Sequence, residues 1–206
     1  MAVITLSRQS GSEGNEIARL LSVRLEYKLL DKYLIDDMAR TKGWDPAAFE
    51  GLEEEQFPVR SFMEKALQNF QSPIMFGQGY GPRGADPALT NEMALRKIIL
   101  SAYELGNIII VGRGAQIVLA GKPGTLHVRI IAPESRRIKV WQSRQNISVE
   151  EARKLVRERD KAHVDFIQNV FMADLNDPNW YDLILNTDRL SPCSVADIIV
   201  EALEHV

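Results

Sequence analysis

Residues 3–25 read VITLSRQSGSEGNEIARLLSVRL. The apolar run Val3 to Leu6 has the length of a buried strand, and Ser7 to Gly14 is a loop of small residues. Beyond it Ile17, Leu20, Leu21 and Leu25 recur at helical spacing and fall on one face. The segment therefore reads strand, small-residue loop, helix. Gly11 and Gly14 allow backbone N–H groups to approach an anion, with the positive end of the helix aimed at it. Laid on the pattern G-x-x-x-x-G-K-[ST], the first glycine falls at Arg8 and the lysine at Gly14. Taken alone, the segment fits a phosphate-binding loop and equally a plain tight connection. The rest of the chain separates the two.

The chain has 206 residues, which suits one α/β domain with room for a small inserted lobe. An apolar share of 45% is that of an ordinary globular chain, and no apolar run is long enough to cross a bilayer. The N-terminus shows no basic segment leading into an apolar stretch, and Cys193 is the single cysteine. The expectation from both is a cytoplasmic protein without internal disulfides. The net charge of −3 argues against a general nucleic-acid binder. Residues 129–161, however, hold ten Lys/Arg against five Asp/Glu. A basic segment in an acidic chain suits a local anion site; a solvated helical surface is the other reading.

In chain order, Tyr27 to Asp31 reads as a short strand ending in an acid, and Lys32 to Arg40 as a helix. Residues 42–88 carry the acidic cluster Glu53 to Glu55 and end in the Gly/Pro-dense FGQGYGPRGADP. That length exceeds a plain connection in a compact domain, so an inserted helical lobe is expected, with a surface loop as the alternative for residues 77–86. Helical spacing returns from Ala88 to Leu105 and stops at Gly106. Asn107 to Val111 reads as a buried parallel strand that ends at Gly112-Arg113-Gly114. A short helix or turn over Ala115 to Ala120 and a strand over Leu126 to Ile131 come next. Pro133 opens a helix bearing Arg136, Arg137 and Arg144, and the capping-box match at Ser148 and Glu151 opens another bearing Arg153, Arg157, Arg159, Asp160 and Lys161. A strand over Tyr181 to Leu185 and a helix over Val195 to Leu203 close the chain. Strands alternating with helices predict a parallel sheet covered on both faces.

Ligands bind beyond the carboxyl ends of the strands in such sheets. Four places converge there: the Ser7–Gly14 loop, Asp31, the Gly112-Arg113-Gly114 turn and the sequence after Ile131. A guanidinium at Arg113 can form two parallel hydrogen bonds to a phosphate, and a structural ion pair is the alternative. Arg157 and Arg159 can serve an anion or simply belong to an exposed helix. His127, His163 and His205 lack ligand spacing, so no protein-only metal site is expected. Cys193 is read as part of a Ser-Pro-Cys-Ser turn and not as a nucleophile.

With these residues assembled, the chain resembles the cytidylate kinase-like family of P-loop nucleoside monophosphate kinases. The resemblance runs through ITLSRQSGSEGNEIARLL, YKLLDKYLI, IIIVGRGAQIVL, HVRIIAPESRRIKVW, RERDKAH and YDLILNTDRLS, in that order. It implies one P-loop kinase-like domain over residues 1–206, with 42–88 as an inserted monophosphate-binding lobe and 134–165 as a short lid. It implies phosphoryl transfer from ATP, with Mg²⁺, to a pyrimidine nucleoside monophosphate, CMP or dCMP. Small-molecule nucleotides are then the partners, without nucleic acid or membrane. By position, Ser10, Gly11, Ser12, Glu13, Gly14, Asn15 and Glu16 would cradle the donor phosphates. Asp31 and Arg113 would face the acceptor, and Arg157 and Arg159 would close over the transferring group.

The chain departs from active cytidylate kinases at three places. Those enzymes carry a lysine and, two positions on, a hydroxyl residue; here these are Gly14 and Glu16. They carry an acid after the Gly-Arg pair; here it is Gly114. The expectation is that Arg8 or a lid arginine supplies the charge of the absent lysine. The alternatives are a nucleotide-binding regulatory protein without catalysis and a kinase for another small molecule.

Overall fold

The computed structural model describes residues 2–30 and 91–206. The expected helix over 32–40, the expected lobe over 42–88 and Asp31 lie outside the described residues. Among the described residues five parallel strands form one sheet: β1 (Val3–Arg8), β2 (Lys28–Leu30), β3 (Ile108–Val111), β4 (Thr125–Ile131) and β5 (Leu183–Asn186), in the order β2-β3-β1-β4-β5. The register sets Val3 beside both Ile108 and Thr125, and Leu6 beside both Val111 and Val128. The chain moves from β1 outward to β2 and β3 on one side, then crosses to β4 and β5 on the other. A crevice at the carboxyl end of β1 follows from that reversal.

Alternation along the strands builds the two faces. Ile4, Leu6, Ile109, Val128 and Ile130 point to one side, where α1 (Gly14–Leu25) and the C-terminal helix Pro192–Leu203 cover them through Ile17, Leu21, Val195 and Ile199. Val3, Ile108 and Ile110 point to the other, against α2 (Asn91–Leu105) and α3 (Ala115–Val118). Two further helices, α4 (Glu134–Gln145) and α5 (Val149–Phe171), stand over the carboxyl end. The C-terminal helix is α6.

The 23-residue α5 opens on a complete capping box, in which Ser148 Oγ accepts from the Glu151 N–H and Glu151 accepts from the Ser148 N–H. Its first half packs Ala152 and Val156 on Ile138 and Trp141 of the α4 segment, and its last turns add Phe166, Val170 and Phe171 to the α2 face. One helix thus ties the region over the site to the core.

Three of the differences from the sequence reading have a visible physical reason. β1 continues two residues past its apolar run, because Ser7 and Arg8 still pair with Arg129 and Ile130. β5 starts at Leu183, since Tyr181 ends a single 3₁₀ turn over Pro178–Trp180 and gives its hydroxyl to the Leu175 carbonyl. Cys193 lies in the first turn of α6 and not in a turn before it: Ser191 caps that helix by accepting from the Ser194 N–H, and Pro192 fits its first position.

Candidate functional site

The loop between β1 and α1 is held from within. The Gln9 N–H donates to the Ile130 carbonyl at 3.0 Å, and Gln9 Oε1 accepts from the Ala132 N–H at 3.1 Å. Ser12 is fully buried; its N–H and its hydroxyl both donate to the Gln9 carbonyl, and its own carbonyl accepts from Thr187 Oγ1. Ser12 therefore shapes the loop through these bonds. Gly11 has φ +82°, and a Cβ there would lie 2.8 Å from the Arg137 carbonyl and 3.0 Å from Trp141 Cδ1. Only glycine suits both the backbone and the space.

Glu13 falls on the second glycine of the phosphate-loop pattern and adopts the glycine's left-handed backbone, φ 63° and ψ 12°. Its carboxylate accepts from Arg136 at 2.8 Å. Glu16 stands 3.6 Å from Arg144. Glu13 in the loop and Glu16 in the first turn of α1 are thus both faced by arginines of α4.

Gly14, in the lysine's slot, faces Arg8. A Cβ on Gly14 would lie 2.6 Å from Arg8 Cβ and 2.9 Å from Arg8 Cγ. The Arg8 stem fills that space and its Nε donates to Asn15 Oδ1 at 3.0 Å. Gly14 and Asn15 open α1, whose first N–H groups have no acceptor within the helix. Arg8, Ser10, Gly11, Glu13, Gly14 and Asn15 line one cavity, together with Trp141, Arg144, Arg159, Asp160 and His163 from α4 and α5.

The arginines proposed for the lid part company. Arg159 lies over the Trp141 ring at 4.3 Å from its centroid and lines the cavity. Arg157 instead donates to Glu134 at 2.8 Å on the exposed surface, and that bond pulls the Glu134 carboxyl below its usual range. Arg113 is buried, has φ 59°, and donates to the Leu30 carbonyl at 3.3 Å, at the end of β2 next to Asp31. It does not share the cavity of the loop. Gly114, where active enzymes carry an acid, has φ +68°, and a Cβ there would meet Phe171 at 2.2 Å.

Sequence reasoning placed the loop and passed over its ceiling. Trp141 Nε1 donates to Ser10 Oγ at 3.0 Å, and Arg137 donates to the Ser10 carbonyl at 3.1 Å and to Asp160 at 2.6 Å. The basic run over 129–161 is a signal of this ceiling in the sequence, but its charge does not reveal its reach across to the loop.

A sequence profile of the cytidylate kinase-like family matches residues 3–189. The chain belongs to the cytidylate kinase-like family. Within reach of that family are cytidylate kinases from Pyrococcus horikoshii, 34% identical over 120 residues, and from Thermococcus kodakarensis, 33% identical over 120 residues. Each match covers 58% of this chain and 60% of the relative, so the chain spans about 60% of the length of the relatives it matches. An uncharacterized protein from Eubacterium ventriosum shares the fold at TM-score 0.68 and 16% identity, over 100% of both chains. Shikimate kinase from Bacteroides thetaiotaomicron does so at TM-score 0.50 and 13% identity, over 98% of each. The family's P-loop α/β fold is the one described above. Among the described residues no helix is long and apolar enough to cross a membrane.

Proposed function

We propose that this protein transfers the γ-phosphoryl group of ATP to a pyrimidine nucleoside monophosphate, CMP or dCMP. The observation that carries the reading is the exchange between Arg8 and Gly14. The cation absent from the lysine's slot stands on the facing residue, and its stem takes the volume of the side chain that Gly14 lacks. Phosphoryl transfer is catalysed mainly by positioning and by charge stabilisation, so a loop that kept its shape and lost its cation would be of little use to a kinase.

In this reading the loop over Ser10 to Glu16 receives the donor phosphates through backbone N–H groups, and Arg8 lies beneath them. Arg159, on the lid segment 134–165, approaches from above. Arg157 and Arg113 act at one remove: Arg157 ties α5 to Glu134, and Arg113 holds the end of β2 next to Asp31 on the acceptor side. Mg²⁺ in phosphoryl-transfer sites is held by one or two carboxylates together with the substrate's phosphates. Glu16 is the carboxylate the loop offers, half exposed and only loosely paired with Arg144. When bound, the ion would neutralise charge on the transferring group.

Thermal melts with ATP–Mg²⁺, with CMP and with other monophosphates test the assignment. A ligand at about 100 times its Kd stabilises the folded state by roughly 2.7 kcal/mol. Stabilisation by both ATP–Mg²⁺ and CMP is expected, and a protein indifferent to every nucleotide would refute it. The second reading is a nucleotide-binding regulatory protein without turnover. Glu16 in the hydroxyl's slot favours it, and nucleotide binding without ADP release would select it.

A further inference from the structure

The loop already holds a carboxylate. Asp160, carried on α5, accepts from the Ser10 N–H through Oδ1 at 3.0 Å and from Arg137 Nη1 through Oδ2 at 2.6 Å. Arg137 is built for a fixed position. It is 6% exposed, its Nε donates to the Ala132 carbonyl at 2.9 Å, and its Nη1 also donates to the Ser10 carbonyl at 3.1 Å. The backbone of the same residue closes over Gly11. A loop amide and a buried guanidinium therefore converge on one anionic group, and a phosphoryl oxygen asks for the same two donors.

We propose that the Ser10 N–H and Arg137 form an anion subsite whose resident ligand is the Asp160 carboxylate, and that a nucleotide phosphoryl group takes the subsite over when Asp160 withdraws. Arg137 is then a phosphate-binding residue, and Asp160 is a competitor carried on the lid. The subsite links α5 to occupancy of the loop, because the resident carboxylate is carried on that helix. The proposal rests on the nucleotide-binding reading. Apparent affinity is lowered by the fraction of molecules in which the subsite is closed, so about nine closed molecules in ten would weaken phosphate binding about tenfold.

Titration of the full chain with inorganic pyrophosphate and with ATP decides it. Asp160→Asn should bind both about tenfold more tightly than the parent. Glu158→Gln, which removes a charge from the same helix at an exposed position that faces Lys154, should bind as the parent does. Arg137→Lys added to Asp160→Asn should abolish the gain; a gain surviving that change would be a net-charge effect and would overturn the subsite. Unchanged or weaker binding by a folded Asp160→Asn variant would overturn it as well. Should that variant fail to fold, the ¹⁵N resonance of the Ser10 amide in the parent decides. It should move on saturation with pyrophosphate, and a stationary Ser10 among shifting neighbours refutes the proposal. If the parent and the variant both ignore pyrophosphate and ATP, the nucleotide-binding reading falls too; if the parent binds and the variant binds no better, the subsite alone falls.

Discussion

Arg8 and Gly14 share one volume. The stem of the arginine stands where any side chain at position 14 would begin, with 2.6 Å between Arg8 Cβ and the position of a Gly14 Cβ. A lysine at 14 and an arginine at 8 cannot coexist without a shift of the loop. The departures from the phosphate-loop pattern at positions 8 and 14 are thus sterically coupled.

The first prediction follows from that exchange. Arg8→Ala should weaken ATP binding in the absence of any acceptor. A hydrogen bond to a charged partner is worth roughly 1.5–3 kcal/mol, so the loss should be about tenfold to a hundredfold in Kd. Gly14→Lys alone should destabilise the fold through the clash with Arg8, whereas Arg8→Gly together with Gly14→Lys should recover both stability and binding. Calorimetric titration with ATP distinguishes the cases. An Arg8→Ala protein that only melts earlier and binds ATP normally would make Arg8 a structural residue.

The two lid arginines should behave differently. Arg159→Ala removes a guanidinium that lines the cavity and stacks on Trp141. It should spare ATP binding within a few-fold and lower turnover by about a hundredfold, equivalent to about 3 kcal/mol in the transition state. Arg157→Ala removes an exposed pair with Glu134 and should change turnover little. Steady-state kinetics on both variants checks the split, and equal losses in the two would contradict it.

Gly114 and Phe171 give a test of the fold around the second loop. Gly114→Ala places a Cβ 2.2 Å from the Phe171 ring in a backbone with φ +68°. Overpacking of that kind costs about 1–3 kcal/mol. Phe171→Leu in the same chain should return part of the loss, since the steric component belongs to the ring. Denaturant unfolding of the single and double variants measures the coupling, and strict additivity would show that the ring is not the obstacle.

His127 makes stability depend on pH. Burial holds its imidazole below the ordinary value of 6.5, against the opposing pull of Asp182 and the Leu119 backbone. Its ring accepts or donates at Nδ1 to Thr5 Oγ1 at 2.7 Å. The folded state therefore binds a proton less readily than the unfolded chain. This contribution is complete above pH 6.5 and is lost as pH falls from there through the depressed folded value. Chemical denaturation between pH 5 and 7.5 should show stability rising with pH, and His127→Asn should flatten that slope. An unaltered slope in the variant would assign it to other groups.

The sequence carried the sheet and the loop because both depend on local pattern. Apolar runs of four to seven residues alternate with helical spacing, and two glycines mark the connection after β1. Where the reading stopped, distance along the chain is the reason. Trp141, Arg137 and Asp160 reach Ser10 across 131, 127 and 150 residues. Their convergence is set by how α4 and α5 pack on each other through Ile138, Ala152 and Val156, which no spacing within either helix reveals. Arg157 and Arg159 look alike in sequence and point to different places because positions two apart on a helix differ by about 200°. Glu13 stands at the loop's second glycine position and takes up the left-handed backbone that a glycine there would adopt.

In the proposed reaction a phosphoryl group moves from ATP to a pyrimidine monophosphate on a loop whose cation is Arg8. The most direct test is ³¹P NMR of the protein incubated with ATP, Mg²⁺ and CMP, run beside Arg8→Ala. Growth of the CDP and ADP signals with the parent, and their slowing by about tenfold or more with the folded variant, is the predicted result. Tight ATP binding with no CDP formed from CMP, or CDP formed at the same rate by both proteins, would contradict it.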